Sequence, residues 1–396
     1  MWVTINFKKL LILLLRLLIV LIALVVVLFT RILKPLLLIR FGGLSSRRIG
    51  HYVGNTEIYL CERDFGVQNT RAIDLFFNRG VACNKQLKKM YSRILKVYPF
   101  VRYLNNINKF IPGGDKHNIT LSTDRDLSGL MRKTESHLFF TNKEEYLGKQ
   151  YLKSKGINER NKFLCLYARS NHYLAHYKPN KDWSYHDYRN STIDNYLKAA
   201  EVMTKRGYYV FRMGSIVNKK LKTNNSKIID YAYNGDRTDF LDIFLLAKCQ
   251  FFLVGSGGPS AVSSAFRRPL AVVNYIPLEY PHALGVNDIS IPKKLWLKRE
   301  NRFITFREII KAGAGRFIRT VQHGELGLKA IENTPDEIAD LAIEMDERLK
   351  GNWIITNEDE ELQKRFWDII PESDLIGEIK GIIGTQFLRQ NKILLD

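Results

Sequence analysis

A glycine-serine turn in the second half of the chain has the composition of a phosphate-binding loop. It consists of Gly255, Ser256, Gly257 and Gly258, and it separates the apolar run "QFFLV" from the small-residue stretch "PSAVSSAF", which contains Ser260. Glycine lets a backbone turn sharply, and a helix that begins there presents unbonded N–H groups to an anion. We therefore predict that these five residues bind a diphosphate. The alternative is a purely structural turn between a strand and a helix.

Two arginines end strands that should lie beside this turn. "KFLCLYARS" and "YYVFRMG" have the continuous apolar character of buried parallel strands. In a doubly wound sheet ordered 3-2-1-4-5, ligands bind where the order reverses, between strands one and four. That order puts Arg169 beside Gly255 and Arg212 one strand farther out. Arg169 could then stabilise a departing diphosphate, and Arg212 could meet phosphate, ribose or an acidic partner. An ordinary surface ion pair is the alternative for each.

A second basic, glycine-rich segment lies near the start of the chain. It is predicted as a loop over Gly42–His51 and contains Gly42, Gly43, Arg47, Arg48 and His51. It follows an apolar run that reads as a buried strand, so its polar side chains should lie at the end of that strand.

Strand-like and helix-like segments alternate around both loops, which predicts an α/β fold with parallel sheets and helices on their faces. We predict a first α/β domain over residues 35–155, a second over 156–330 and a helical segment over 331–396 that packs back on the core. The last begins with the helix-start pair Thr334-Pro335. In the first domain the predicted strands are "LLLIRF", "AIDLFFNRG" and "FVRYLN", and the predicted helices include "NKQLKKMYSRILKVY".

The overall charge indicates anionic partners. The 396 residues include 61 Lys and Arg against 40 Asp and Glu, a net charge of +21. Such a surface favours phosphorylated substrates or anionic lipid. Nucleic acid is not expected, because the basic residues are spread out and no recognition motif accompanies them. The four cysteines are far apart, which excludes zinc and haem signatures and fits a reducing compartment.

The N-terminus predicts a membrane anchor over residues 1–34. From Leu10 to Thr30 the sequence is apolar except for Arg16, and this segment is long enough for a membrane-crossing helix. Basic residues are denser after the segment than before it, so the inner membrane with the catalytic part in the cytoplasm is the predicted location. Because of Arg16, a helix lying in the membrane interface is the alternative.

Several stretches together resemble a poorly characterised bacterial family of glycosyltransferases. They include "RRIGHYVGNTEIYLCERD", "LCLYARSNHY", "YYVFRMGS", the glycine-serine segment with its flanking strands, and "GTQFLRQNKILL". The resemblance runs from about Leu36 to the C-terminus and leaves only the anchor outside it. It implies two facing Rossmann-like domains of the GT-B type. The second would bind a nucleotide sugar, the first would meet the acceptor, and no divalent metal would be required.

This resemblance gives roles to the remaining candidates. His51 is the predicted catalytic base, with capping of a helix or positioning of phosphate as the alternatives. Arg47 and Arg48 could reach the donor diphosphate or a lipid pyrophosphate acceptor. His172 and Asp187 are weaker candidates for the base. Three residues at the ends of strands three and five are predicted to contact the nucleotide: Asp230, Tyr231 and Asn274.

The predicted function is transfer of a sugar from a nucleotide-sugar donor to a lipid-linked glycan or a cell-envelope polysaccharide intermediate. The alternative is a non-catalytic protein that binds nucleotide sugars or acts as a scaffold for envelope glycan assembly. No cofactor is expected. A competing metal site would use Asp124 and Asp126, because paired carboxylates can hold a divalent ion against a diphosphate.

Overall fold

The chain folds into two compact units, residues Met1–Asp124 and Arg125–Asp396. The computed structural model describes residues 7–121, 125–177, 179–281, 285–377 and 379–396. Each unit is built on a parallel β-sheet, which confirms the predicted α/β class.

The first unit has a four-stranded parallel sheet with strand order β3-β2-β1-β4. Its elements are α1 (Phe7–Leu33), β1 (Ile39–Leu44), α2 (Ile49–Asp64), β2 (Ile73–Asn78), α3 (Lys85–Ile94), β3 (Lys96–Val97), α4 (Val101–Phe110) and β4 (Asn118–Ile119).

Two predictions for this unit are wrong. Gly42 and Gly43 belong to β1 and not to a loop, and the segment "FVRYLN" opens the helix α4 and not a strand. The valine and tyrosine of that segment favour a strand by propensity, but tertiary packing decides the outcome. Val101, Leu104 and Asn108 are buried at the i, i+3 and i+7 spacing of one helix face.

The apolar helix α1 packs on the first unit through its C-terminal half. Ala23 and Val27 are buried in a cluster with Phe41, Val101 and Leu104. At the end of α1, the Arg31 Nη2 atom donates to Asn108 Oδ1 at 2.6 Å. The stretch Lys9–Leu33 has the length and composition of a membrane-crossing helix, and most of it is exposed.

The second unit has a seven-stranded sheet with strand order β14-β10-β9-β8-β5-β6-β7 and a small antiparallel sheet, β12-β11-β13. Its strands are β5 (Lys162–Tyr167), β6 (Tyr208–Arg212), β7 (Ile228–Ile229), β8 (Phe252–Gly255), β9 (Leu270–Tyr275), β10 (Ile289–Pro292), β11 (Lys294–Leu297), β12 (Arg302–Phe303), β13 (Leu328–Ile331) and β14 (Ile382–Ile383). Its helices are α5 (Asn142–Ser154), α6 (His172–Tyr177), α7 (Leu197–Lys205), α8 (Asp239–Lys248), α9 (Ser260–Ala265), α10 (Phe306–Lys311), α11 (Thr320–Glu325), α12 (Pro335–Lys350), α13 (Asn357–Ile369) and α14 (Thr385–Gln390).

The large sheet contains the predicted 3-2-1-4-5 order as β7-β6-β5-β8-β9, extended by β10 and β14. Helix α12, the first of the predicted C-terminal segment, begins at the predicted pair Thr334-Pro335. Thr334 accepts a hydrogen bond from the Glu337 backbone N–H in a capping box. This segment also contributes β14 to the sheet, so it is not purely helical.

The division between the units lies earlier than the predicted boundary at residues 155 and 156. Helix α5 belongs to the second unit, because Tyr151 Oη donates to Asp236 Oδ2 at 3.1 Å. Phe140, just before α5, lies 5.3 Å from the Phe244 ring, measured between ring centroids.

Candidate functional site

The carboxyl ends of β5 and β8 lie side by side, at the point where the strand order of the large sheet reverses. Tyr167 at the end of β5 pairs with Val254 in β8. A Cβ atom on Gly255 would lie 3.7 Å from the Arg169 backbone nitrogen. Arg169 is therefore beside the glycine-serine turn, in the arrangement that the strand order predicts.

The glycines of this turn are required by close approach and not by unusual backbone angles. Neither Gly255 nor Gly257 has a positive φ. A Cβ on Gly257 would lie 2.8 Å from Tyr167 Cε1, and one on Gly255 would lie 2.9 Å from Tyr196 Oη. Ser260 Oγ donates to the Gly257 carbonyl at 2.8 Å and so holds the turn in place.

Several donors at the turn make no hydrogen bond to any residue that the structure describes. Ser256 is 3% exposed, and its hydroxyl makes no hydrogen bond within the described ranges. The backbone N–H groups of Gly257 and Gly258 likewise have no partner in the part of the chain that the structure describes. Buried polar groups are normally satisfied, so the Ser256 hydroxyl is suited to an external acceptor such as phosphate. Gly257 is half-buried and Gly258 is exposed, so their N–H groups are open to the same acceptor. The helix that follows, α9, is only six residues long.

Replacing Gly255 with alanine is expected to destabilise the second unit by about 1–3 kcal/mol, the usual cost of overpacking a core. The added methyl group would press on Tyr196, whose buried side chain has no room to move. Thermal unfolding of the purified chain measures the effect. Gly324→Ala is the matched control, because a Cβ there meets nothing within 4 Å. Equal melting temperatures for the two variants would contradict the prediction.

Arg169 is buried without a carboxylate at ion-pair distance among the described residues. It is 7% exposed, and its Nη1 atom donates to Asn190 Oδ1 and to the His186 carbonyl at 3.3 Å. Burial, together with the nearby charge of Arg189, lowers the pKa of Arg169 to about 10. Because its hydrogen-bond partners are neutral groups, this buried guanidinium can still pair with an anion.

Two further cations lie beside Arg169, and the sequence analysis missed both. Arg189 has a buried Nε atom that lacks a hydrogen-bond partner within the described part of the chain. Lys293 is 5% exposed, and its Nζ atom donates to the Asn190 carbonyl at 2.6 Å. Asn190 therefore holds Lys293 through its backbone and Arg169 through its side chain. We refer to Arg169, Arg189 and Lys293 as the cation cluster.

Lys293 gives the cluster a pH dependence that can be measured. Burial lowers the pKa of Lys293 to about 8, Glu332 opposes this shift, and the charge of Arg169 adds to it. The ammonium form predominates below that pKa, so the affinity for a nucleoside diphosphate should fall as pH rises through 8. The loss is about tenfold or more, the value of one charge-assisted hydrogen bond.

Isothermal titration of the chain with nucleoside diphosphates between pH 7 and 9.5 tests this dependence. In Lys293→Met, affinity should be low and nearly constant over that range. Lys298→Met, which removes an exposed lysine, should retain the decrease. A Lys293→Met variant that titrates like the unmodified chain would show that another group is responsible.

A buried histidine close to the cluster was also missed. His323 in α11 is 3% exposed and stacks on Tyr188, with 5.2 Å between ring centroids. Its Nδ1 atom lies 3.2 Å from the Arg319 carbonyl and must donate to it, which leaves a lone pair on Nε2. Burial lowers the pKa of His323, so the ring is neutral at pH 7.

Arg212 and Asp230 bind each other, with 3.2 Å from Arg212 Nη1 to the Asp230 carboxylate. Arg212 also donates to the Lys219 carbonyl at 2.6 Å, and Asp230 accepts from the Leu221 N–H at 2.8 Å. This pair therefore holds the loop that leaves β6. Of the alternatives considered for Arg212, the structure shows an acidic partner.

Tyr231 and Asn274, two of the residues predicted to contact the nucleotide, also make their hydrogen bonds to the protein. Tyr231 Oη donates to Asp242 Oδ1 at 3.0 Å, and burial raises the pKa of Asp242 to about 6. Asn274 has a φ of 56° and exchanges two hydrogen bonds with Asn333, at 2.6 and 2.7 Å. Both side chains thus secure loops around the sheet.

Of the weaker base candidates, Asp187 lies near the cluster. His172 is exposed at the start of α6. Asp187 lies in the 3₁₀ turn Ser184–Arg189 and accepts from Asn190 Nδ2 at 2.9 Å.

The alternative metal pair is only partly within the described residues. Asp124 lies outside them. Both Asp126 oxygens accept backbone hydrogen bonds, from Leu130 at 2.8 Å and from Met131 at 2.7 Å. Asp126 thus stabilises the following turn.

Three of the candidate residues of the first unit, Arg47, Arg48 and His51, line an open cavity of about 680 Å³, whereas Gly42 and Gly43 do not. His51 lies here in the first turn of α2, with Arg47 and Arg48 just ahead of the helix. The lining residues, several of which the sequence analysis missed, are Ser45, Arg47, Arg48, His51, Phe77, Arg79, Arg102, Asn105, Asn106 and Lys109.

Glycines make room for two of the arginines at this cavity. A Cβ on Gly43 would lie 2.3 Å from Arg79 Nε, and one on Gly80 would lie 2.4 Å from Arg47 Nε. Each guanidinium therefore rests directly on a glycine backbone. This is the role that the structure gives to Gly43, whereas a Cβ on Gly42 would meet Phe76 and Ile119 at 3.0 Å in the core.

Comparison with known proteins gives structural likenesses at low sequence identity. No family model matches the chain, and no curated protein matches it. The Escherichia coli ADP-heptose lipopolysaccharide heptosyltransferase II is 11% identical over 79% of this chain and 100% of its own, with a TM-score of 0.39. A glycosyl transferase of family 9 from Veillonella parvula is 9% identical over 78% of this chain and 97% of its own, with a TM-score of 0.44.

Proposed function

We propose that the chain is a membrane-associated glycosyltransferase. It would move a sugar from a nucleotide-sugar donor to a lipid-linked or cell-envelope glycan. The observation that carries the proposal is the cation cluster, Arg169, Arg189 and Lys293. Its member Arg169 follows β5 and has its backbone beside the glycine-serine turn at the strand reversal. A nucleoside diphosphate is a ligand whose charge suits these cations, at the place where a doubly wound sheet binds its ligands.

The cation cluster is suited to stabilise the diphosphate as it leaves the sugar, when its negative charge increases. When the bond between the sugar C1 atom and the phosphate oxygen breaks, negative charge builds on the diphosphate. Buried cations aimed at that charge stabilise the transition state, because they need no reorganisation when the charge forms. The cations also supply the charge that a divalent metal supplies in other transferases, so we propose activity without a metal.

The acceptor hydroxyl must lose a proton as its oxygen attacks C1. We propose His51 as the base, since it lies in the cavity of the first unit. The proton would pass to an imidazole nitrogen, and the electron pair of the cleaved bond would leave with the diphosphate.

Support for the proposed membrane association comes from α1, which is apolar, largely exposed and long enough to enter a bilayer. We propose the cytoplasmic face of the inner membrane as the location, because nucleotide sugars are cytoplasmic metabolites and the basic residues follow the helix.

A turnover assay tests the proposal. The full chain in dodecyl maltoside is incubated with UDP-, GDP-, ADP- and CDP-sugars and with membranes of the producing bacterium as the source of acceptor. Release of the nucleoside diphosphate and incorporation of labelled sugar in the presence of EDTA are the expected results. Binding of a nucleotide sugar without turnover would instead support the non-catalytic alternative. The absence of both binding and turnover would contradict the proposal and the alternative.

A further inference from the structure

The cavity of the first unit is strongly cationic. Five of its lining residues are cations: Arg47, Arg48, Arg79, Arg102 and Lys109. Among the residues that the structure describes, no carboxylate lines this cavity. They come from the turn before α2, the end of β2 and the exposed side of α4, so three separate elements bring positive charge to one place. Such convergence raises the local concentration of an anion.

The glycine contacts show that this charge is built into the fold. Arg79 lies on Gly43 and Arg47 lies on Gly80, so a side chain at either glycine would displace a guanidinium. The N-terminus of the 16-residue helix α2 opens at the same place, where Arg48 makes no side-chain cap. A phosphate here would meet guanidinium groups together with the positive end of a helix.

The exposed side of α4 has the composition of a membrane-contacting surface. Arg102, Tyr103, Asn106, Lys109 and Phe110 are exposed, whereas the opposite side packs on the sheet. Phe110 is 85% exposed, and two more exposed aromatic rings, of Tyr98 and Phe100, stack just ahead of the helix. Aromatic and basic side chains together are typical of protein surfaces at the level of lipid headgroups.

The length of α1 places this surface close to the bilayer. The helix contacts the first unit from Ala23 onward, which leaves residues 9–22 ahead of the contact. Fourteen helical residues span only about 21 Å, less than the hydrocarbon thickness of about 30 Å. The part of α1 that packs on α4 must therefore lie at or near the headgroup region if the helix inserts.

We propose that the cationic cavity binds the phosphate or diphosphate of a lipid-linked acceptor. This inference rests on the proposed function, since it names the acceptor class of the same reaction. The lipid tail would lie toward α1 and α4, and the phosphate would be held by Arg79, Arg102 and Lys109. The sugar-accepting end of the lipid would then be positioned beside His51, which lines the same cavity.

Titration of the full chain in dodecyl maltoside with farnesyl diphosphate, without any nucleotide, tests the proposal. Saturable binding is expected, with farnesol giving none and inorganic pyrophosphate binding at least tenfold more weakly. Arg79→Gln and Lys109→Gln should each weaken binding about tenfold, the value of one charge-assisted hydrogen bond. Arg71→Gln and Lys88→Gln, which remove exposed cations of the same unit away from the cavity, should bind like the unmodified chain.

Undiminished binding by both cavity variants would overturn the proposal, because the lipid would then bind elsewhere. Equal affinity for pyrophosphate and farnesyl diphosphate would overturn the lipid part and indicate a free diphosphate ligand. Titration of the same variants with nucleoside diphosphates separates the two proposals. The cavity variants should keep the nucleotide affinity of the unmodified chain. If only the proposed function is wrong, the unmodified chain will bind farnesyl diphosphate but no nucleotide.

Discussion

Replacing Arg169 with alanine is expected to reduce nucleotide-sugar turnover by about 10²–10³-fold, the usual cost of removing one preorganised charge-stabilising donor. The Arg169 backbone lies beside the glycine-serine turn, its guanidinium is buried, and neutral groups are its hydrogen-bond partners. Its removal leaves Lys293 and Arg189 as the remaining members of the cation cluster. Initial rates of nucleoside diphosphate release by the full chain give the measurement.

Controls for Arg169→Ala separate chemistry from folding. Arg160→Ala removes an exposed arginine from the same unit and should leave turnover unchanged. Arg169→Lys keeps a charge but loses the planar fork, so an intermediate rate is expected. The melting temperature of each variant shows whether the loop from Ser184 to Asn190 stays folded. A folded Arg169→Ala protein with full turnover would remove Arg169 from the mechanism.

Replacing His51 with glutamine is expected to lower kcat by about 10²–10⁴-fold, the contribution of a positioned general base. Glutamine preserves size and polarity but cannot accept the proton. Nucleotide affinity should not change, because the residues proposed to bind the donor all belong to the second unit. Rates at saturating donor and the dissociation constant of the nucleoside diphosphate are measured on the same preparation.

The kcat and the KM for acceptor together distinguish base catalysis by His51 from positioning of phosphate. Loss of a base lowers kcat and leaves the KM for acceptor nearly unchanged in His51→Gln. Loss of a residue that only positions phosphate would raise the KM for acceptor and leave kcat nearly unchanged. In that case His323, with its neutral ring and its lone pair on Nε2, becomes the next residue to replace.

The sequence predicted the part of the site that depends on strand order. Apolar runs identify parallel strands, and the ends of adjacent parallel strands meet at one edge. Arg169 and Gly255 could therefore be placed together although they are far apart in the chain, and the structure has them side by side. The positions of Arg212 and Asp230 at strand ends were also predicted, but not their pairing, which depends on side-chain direction.

The remaining cations could not be predicted, because irregular or late elements bring them in. Lys293 follows β10, a strand beyond the predicted five, and Arg189 lies in a 3₁₀ turn with no periodic pattern. A lysine directly after the apolar run "ISIP" is the one signal that pointed to Lys293. Arg102 was missed because its segment "FVRYLN" was predicted as a strand, which would have put neighbouring residues on opposite faces. Lys109 lies four residues beyond that predicted strand, in a stretch for which no helix was predicted, so nothing placed it on the same face as Arg102.

The central claim is that the second unit binds a nucleoside diphosphate through Arg169 without a metal. Thermal unfolding of the full chain in dodecyl maltoside with UDP, GDP, ADP and CDP, in EDTA, tests it most directly. A ligand at one hundred times its dissociation constant stabilises the folded state by about 2.7 kcal/mol. The account predicts that at least one of these nucleotides raises the melting temperature and that Arg169→Ala abolishes the increase. No increase with any nucleotide, an increase that persists in Arg169→Ala, or an increase only with added Mg²⁺ would contradict it.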